Sequence, residues 1–267
     1  MVSVSLVILF FVIALVYASA GFGGGSSYLA VMSLYGLQMT TMRPTSLLCN
    51  IVVVVGGTYI FWKQGYLNFK KIIPLSILSI PMAFVGGLLP IKEHTFFILL
   101  GFSLVLAALL MFSQQYFNTR STVSKGGTGV SDIEKSVEKS SGNFQSFPNL
   151  VNAFIGGAIG FLSGMVGIGG GIFLSPVLHL LKWDLPKHIA STASFFILIN
   201  SISGLIGQFS KNPHIDWTFA LPLMAAVLIG GQIGSRLSAF KFDQAIVRNV
   251  TAVVVLYAGI NILWTHI

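Results

Sequence analysis

Gly21-Phe22-Gly23-Gly24-Gly25-Ser26-Ser27 interrupts an apolar stretch, between the run from Val4 to Ala20 and a shorter run from Tyr28 to Leu37. Far downstream Gly167-Ile168-Gly169-Gly170-Gly171 does the same, again between a longer apolar run and a short one. Three adjacent glycines make poor helix interior, because each costs roughly 1 kcal/mol against alanine. In lipid a broken helix is tolerated only where protein or a water-filled cavity satisfies the freed backbone groups. One such break in each half of the chain points to a transport site built from interrupted helices. Glycines can also serve close helix packing, as in G-x-x-x-G faces. A tandem triplet is a different pattern from an isolated small-residue pair.

Of the 267 residues, 54% are hydrophobic and 8% charged, and the mean hydropathy is +0.86. A soluble domain carries about 25% charged residues, so a polytopic membrane protein is expected. The formal net charge of +8 does not indicate nucleic acid. The basic residues sit in loops between apolar runs and form no stripe with interleaved aromatics. The single cysteine, Cys49, lies in an apolar run as a core thiol. Ala18-Ser19-Ala20 resembles a signal-peptide cleavage site, yet no basic residue precedes the apolar run. The segment is therefore expected to remain in the mature protein.

Ten apolar segments can be read: 4–20, 26–37, 44–62, 72–90 and 94–112, then 149–166, 172–182, 189–209, 217–236 and 243–265. Most have the ~17–25 residues needed to cross a hydrocarbon core of about 30 Å, whereas the second and seventh are short enough to be re-entrant. The expected fold is all-α and polytopic, with two repeats of about five helical segments. The first repeat occupies 1–112 and the second 149–267, joined by a hydrophilic linker over 113–148. That linker is rich in Ser, Gly, Lys and Glu and reads as solvated chain. The repeats align loosely, with a shift of 146 at the glycine breaks, 148 for Pro74 with Pro222, and 150 for Asn50 with Asn200. A loose match over nearly every segment indicates internal duplication.

Charge selects the topology. If each half is a hairpin plus three spans, Arg43, Lys92 and Lys211 share one side and the other 12 of the 15 Lys and Arg share the opposite side. Joining each broken hairpin into one span would divide them almost evenly, so the positive-inside bias favours the first arrangement. Both termini then lie outside a cell membrane, the linker is cytoplasmic, and the two halves are inverted relative to each other.

After each broken hairpin a helix begins with small polar residues. The first copy reads Arg43-Pro44-Thr45-Ser46 and then Asn50; the second reads Lys187-His188-Ile189-Ala190-Ser191-Thr192, then Ser194 and Asn200. Pro44 suits the first turn of a helix. The hydroxyls can be ordinary caps or back-bonded groups. Asn50 and Asn200 need partners, since an unpaired amide in hydrocarbon costs several kcal/mol. They serve either as helix–helix glue or as two faces of one central site. Of the carboxylates, Asp132, Glu134 and Glu138 fall in the linker, and Glu93, Asp184, Asp216 and Asp243 at segment ends. No carboxylate is left for the middle of a span, which argues against a midplane proton relay or cation site. A site made of glycine amides, hydroxyls and helix N-termini prefers anions. The candidate substrate-binding set is Gly23, Gly24, Gly25, Ser26, Thr45, Ser46 and Asn50 with Gly169, Gly170, Gly171, Ser191, Thr192, Ser194 and Asn200.

Arg43 could guide an anion at the outer mouth, or simply snorkel to the interface. Lys187 and His188 are its inner-side counterparts. Asp216 reads as the N-cap of the ninth segment, with Trp217 as an interfacial anchor. Gly156, Gly160 and Gly164 give the sixth segment a smooth face, and Gly230 with Gly234 and Gly86 with Gly87 form further small patches. These are packing surfaces within one protomer, or between the two protomers of a homodimer.

At these residues the chain resembles the TauE/SafE family of sulfite and organosulfonate exporters. The matching features are GFGGG at 21–25, GIGGG at 167–171, the small-polar helix start after each hairpin, and Asp216-Trp217 after a polar loop. The first copy has Asn68-Phe69 where the second has Asp216-Trp217. The resemblance covers nearly all of the chain except 113–148. It implies a permease for sulfite or another sulfur-containing small anion.

The expected function is a secondary transporter working by alternating access between inverted repeats. An anion channel on the same scaffold is the alternative. Ser163-Gly164 and His179 also raise an intramembrane serine hydrolase, against which stands Phe161 two residues before the serine, where rhomboid-like proteases have glycine. No P-loop and no cysteine–histidine cluster with metal spacing occurs, so neither ATP-driven pumping nor a metal or other cofactor is expected. The partners expected are a small anionic substrate and the lipid bilayer.

Overall fold

A computed structural model describes residues 3–19, 21–123, 148–211, 215–237 and 244–266. These form ten helices and no strand. They are α1 (Val4–Ser19), α2 (Gly25–Leu34), α3 (Met39–Lys63), α4 (Phe69–Leu88), α5 (Glu93–Val123), α6 (Asn149–Val166), α7 (Gly171–Leu180), α8 (Pro186–Phe209), α9 (Trp217–Leu237) and α10 (Gln244–His266). Each coincides with one of the apolar segments read from the sequence. α3, α4, α5, α6, α8 and α9 are long and apolar enough to cross a membrane. α2 and α7 have 10 residues each, about 15 Å of helix and half of a hydrocarbon core.

Of the boundaries that differ from the sequence reading, three bear on the site. α5 continues to Val123, past the expected end at Phe112. Helical hydrogen bonding does not require apolar side chains, so hydropathy alone places the end too early. The remainder of the expected linker, with Asp132, Glu134 and Glu138, lies outside the described residues, as does Asp243. α3 begins at Met39, so Pro44 stands inside the helix rather than in its first turn. Proline lacks the N–H that would bond the carbonyl four residues back, and the Thr40 carbonyl is left without its helical partner. α8 begins at Pro186, with proline in its first turn, so Lys187 and His188 belong to the helix.

The packing is reciprocal between the two halves. α4 lies along α6 and α9 lies along α1; α3 crosses α8, and α5 pairs with α10. α2 packs on α3 and α10, while α7 packs on α8 and α5. Each of these pairings has a partner obtained by exchanging the repeats. The glycine faces are used inside the protomer. A Cβ at Gly156 or Gly164 would overlap the carbonyl oxygen of Leu75 or Ala83 on α4, and one at Gly230 or Gly234 that of Phe11 or Leu15 on α1. Between helices in lipid, such backbone-to-backbone approach supplies the dispersion contact that the hydrophobic effect supplies in water.

Aliphatic and aromatic side chains also cover the outside: Val4, Ile77, Phe102, Leu150 and Trp264 are exposed. Buried Ser46, Asn50, Ser79, Ser191, Ser194, Asn200 and Ser201 sit within. That inversion of the soluble pattern is what a hydrocarbon solvent requires. Asp216 caps α9 as expected, its Oδ1 accepting from Thr218 Oγ1 at 2.5 Å and from the Phe219 N–H at 3.2 Å, with Trp217 exposed beside it.

Candidate functional site

The glycine breaks shape two helix N-termini. Gly24 (φ 81°) and Gly170 (φ 83°) adopt the left-handed conformation at the N-caps of α2 and α7. A side chain there would be strained, and glycine is the residue that avoids it. Neither N-cap supplies a side-chain hydrogen bond, so the first backbone N–H groups of both helices remain available to a ligand. The positive ends of two short dipoles therefore open into the same space.

That space is a small cavity of about 20 Å³ bordered by Gly23, Gly24, Gly25, Ser26, Asn50 and Gly171 among others, with Tyr17 of α1 and Met111 of α5 closing its walls. It has room for about one water molecule. Asn50, fully buried on α3, is the wedge between the two breaks. Its Nδ2 donates to the Ile168 carbonyl at 2.9 Å, and its Oδ1 is buried without a partner. A Cβ at Gly23 would stand 2.6 Å from Asn50 Oδ1, one at Gly169 would stand 2.7 Å from Nδ2, and one at Gly25 would run into Nδ2. The glycines of both breaks are small because the amide occupies their side-chain space.

The expected pairing of Asn50 with Asn200 is not the structural one. Ile197 holds the corresponding place: its side chain fills the space over Gly171, as Asn50 does over Gly25, and touches both Gly23 and Gly169. Asn200 instead faces α4. It accepts from Ser79 Oγ at 2.5 Å and donates to the Phe196 carbonyl at 2.8 Å, so both ends of its amide are used in packing. The centre is thus asymmetric, with a polar group from the first repeat and an apolar one from the second.

The other expected site residues fall into layers. Ser26 borders the cavity with an unpartnered buried Oγ. Ser46 Oγ donates to the Gly25 carbonyl at 3.1 Å, and Thr45 is buried nearby in sequence. Ser194 Oγ lies 3.0 Å from Thr58 Oγ1, a hydroxyl pair joining α8 to α3. Ser191 Oγ is within 2.8 Å of the Tyr66 and His188 carbonyls, and Thr192 is buried beside it in sequence. Ser201 is absent from the set expected from the sequence, although its Oγ would lie 2.9 Å from a Cβ at Gly169 and is buried without a partner. Ser163 Oγ has no hydrogen-bond partner, while His179 Nδ1 bonds the Ser175 carbonyl at 2.8 Å. The Ser163–His179 pair a hydrolase would need is not assembled.

The two ends of the α3–α8 crossing differ. At one end a cavity of about 430 Å³ is lined by the start of α3, including Thr40, Arg43 and Pro44, the end of α4, and Gln208, Lys211 and Asp216. At the other end the turn after α3 meets the turn before α8. Lys71 Nζ pairs with Asp184 Oδ2 at 2.7 Å, His188 Nδ1 lies 3.7 Å from the same oxygen, and Lys187 Nζ stands 5.9 Å from the Tyr66 ring centre. That end is bridged by the Lys71–Asp184 pair.

The family model described as "Sulfite exporter TauE/SafE" matches residues 6–262. "Probable membrane transporter protein y4hK" of Sinorhizobium fredii is 33% identical over 98% of both chains. "Probable membrane transporter protein YunE" of Bacillus subtilis is 25% identical over 99% of this chain and 98% of its own. YjnA of the same bacterium, named in the same words, is 22% identical over 98% and 100%. No solved structure matches significantly. A glycine-broken membrane protein with ten helices among its described residues, matched over residues 6–262 in this way, is a transporter, and the chain belongs to the TauE/SafE family.

Proposed function

We propose that the chain carries a small oxoanion, sulfite or an organosulfonate, by alternating access. The substrate is held where the two glycine breaks meet at Asn50, the termini lie outside and the linker lies in the cytoplasm. The observation that carries this reading is the meeting of two uncapped helix N-termini at one buried amide, with no carboxylate bordering the cavity. Amide N–H groups and dipole ends stabilise an anion, and a cation would find no counter-charge there. The inverted arrangement is supported by the reciprocal helix pairing and by the split of the basic residues.

Gated passage is favoured over a channel by the closed centre. About 20 Å³ at the crossing is too little for an oxoanion, while one end is open and the other is bridged by the Lys71–Asp184 pair. The site must therefore widen when loaded. Uptake of radiolabelled sulfite and taurine into proteoliposomes tests the reading. Saturable flux is expected, and non-saturating conductance would replace the carrier with a channel. Asn50→Ala removes a hydrogen bond to a charged ligand, worth about 1.5–3 kcal/mol, and should lower transport roughly ten- to hundredfold. Asn200→Ala should instead lower the melting temperature and leave the substrate KM unchanged. Wild-type rates in the Asn50 variant would remove it from the site.

A further inference from the structure

We propose that the open end holds a second anion site, built on Arg43, that loads the solute before it reaches the glycine breaks. This rests on the anion reading above and adds to it a separate place of binding. Arg43 is only 8% exposed. Its guanidinium makes one long hydrogen bond, Nη2 to the Gly164 carbonyl at 3.4 Å, and its Nε is buried with no partner. No described carboxylate pairs with it. A cation removed from water without a counter-charge is costly, and its planar fork of donors matches an oxoanion two bonds at a time.

The same cavity offers a second orphan donor. Gln208 Nε2 is buried without a partner, and Lys211 adds positive charge to the lining. At about 430 Å³ the cavity falls within the size range of small-molecule sites. Asp216 also borders the cavity, its Oδ1 taken up by Thr218 Oγ1 and the Phe219 N–H; against its one negative charge stand Arg43 and Lys211, and with Gln208 these donors fit a fully ionised head with two or more oxygens: sulfite, sulfonate or carboxylate.

Geometry joins this site to the central one. Arg43 and Asn50 are seven residues apart on α3, two turns and about 10 Å, on one face of the helix. Ser46 lies between them, already bonded to the Gly25 carbonyl. An anion leaving Arg43 moves down a single helix face to the break. The opposite end has no equivalent: the first turn of α8 carries Lys187 and His188, packed against Tyr66.

The competing explanation is that Arg43 only clamps the end of α6 through Gly164. Isothermal titration of the purified full-length protein with sulfite, and separately with methanesulfonate, distinguishes the two, alongside uptake kinetics. Asn50→Ala should keep a binding event that Arg43→Gln combined with Asn50→Ala loses. Arg43→Gln alone should raise the uptake KM from the open face at least tenfold, more than it lowers the maximal rate. Arg43→Lys, which keeps charge and loses the fork, should fall between. If Arg43→Gln does not fold, Gln208→Leu is expected to raise KM about threefold and Arg43→Lys still to weaken binding. Unchanged sulfite affinity and KM in Arg43→Lys and Gln208→Leu would overturn the proposal. A wild-type protein that moves none of the anions would overturn the transport reading first; one that moves them with these variants unaffected overturns only the second site.

Discussion

Gly164→Val should prevent the protein from assembling. α6 presents Gly156, Gly160 and Gly164 at four-residue intervals to the backbone of α4. A Cβ at Gly160 would stand 2.5 Å from both Ser79 O and Ser79 Oγ; those at Gly156 and Gly164 would overlap the Leu75 and Ala83 carbonyls. The obstacle is main chain, so no rotamer change relieves it. α6 would have to move away from α4 along the whole seam, giving up close-packed contact that lipid does not replace. The penalty should exceed the ~1–3 kcal/mol usual for overpacking. Gly57→Ala is the matching control, because its nearest neighbour would be Ser194 Oγ at 3.6 Å, an ordinary contact. Gel filtration of detergent extracts through a temperature ramp should show the Gly57 variant melting as wild type and little or no monodisperse Gly164 variant. A Gly164→Val protein melting within a few degrees of wild type would contradict the seam.

What can be read in advance follows from the kind of signal each feature leaves. The breaks at 21–25 and 167–171 are legible because three glycines defeat helix propensity wherever they occur. Segment lengths are legible because the bilayer sets them. The equivalence of Asn50 with Asn200 misleads because matching by chemistry favours a shift of 150, whereas the helices align Asn50 with Ile197, 147 positions on. Three residues turn a helix by about 300° and advance it about 4.5 Å, enough to aim Asn200 at Ser79 instead of the glycines. Ile197 itself leaves no trace, being an apolar residue in an apolar span. Arg43 is visible as a charge, but its burial without a counter-ion depends on Gly164, which lies in the other repeat. Ser201 is hidden for a similar reason, since a serine in a membrane helix usually bonds back to its own backbone.

Breaking the Lys71–Asp184 pair should open the end it bridges. This contact joins the first turn of α4 to the turn before α8, and so holds one repeat against the other where the cavity at the far end leaves them apart. Asp184 is the better buried partner, with 8% side-chain exposure against 42% for Lys71. Its Oδ1 also accepts from the Leu185 N–H at 2.8 Å. Around the pair lie Trp183, whose ring centre is 5.4 Å from Lys71 Nζ, and the edge-on Tyr66 and His188 rings at 5.8 Å. Under the carrier reading proposed above, this cluster must part while the end lined by Arg43 closes. With one partner half-exposed, the pair stabilises the closed end by about 0.5–1 kcal/mol, so its loss should raise the open population about two- to fivefold. A cysteine at Ser194, beneath the cluster, in a Cys49→Ala background reports the change through labelling by a charged maleimide. Asp184→Asn and Lys71→Met should each speed labelling about two- to fivefold, and the exchanged pair Lys71→Asp with Asp184→Lys should slow it again. A mere staple would lower the melting temperature of both single variants without changing access to Ser194. A latch changes access first, because the energy it holds is a difference between two folded states and not between folded and unfolded chain.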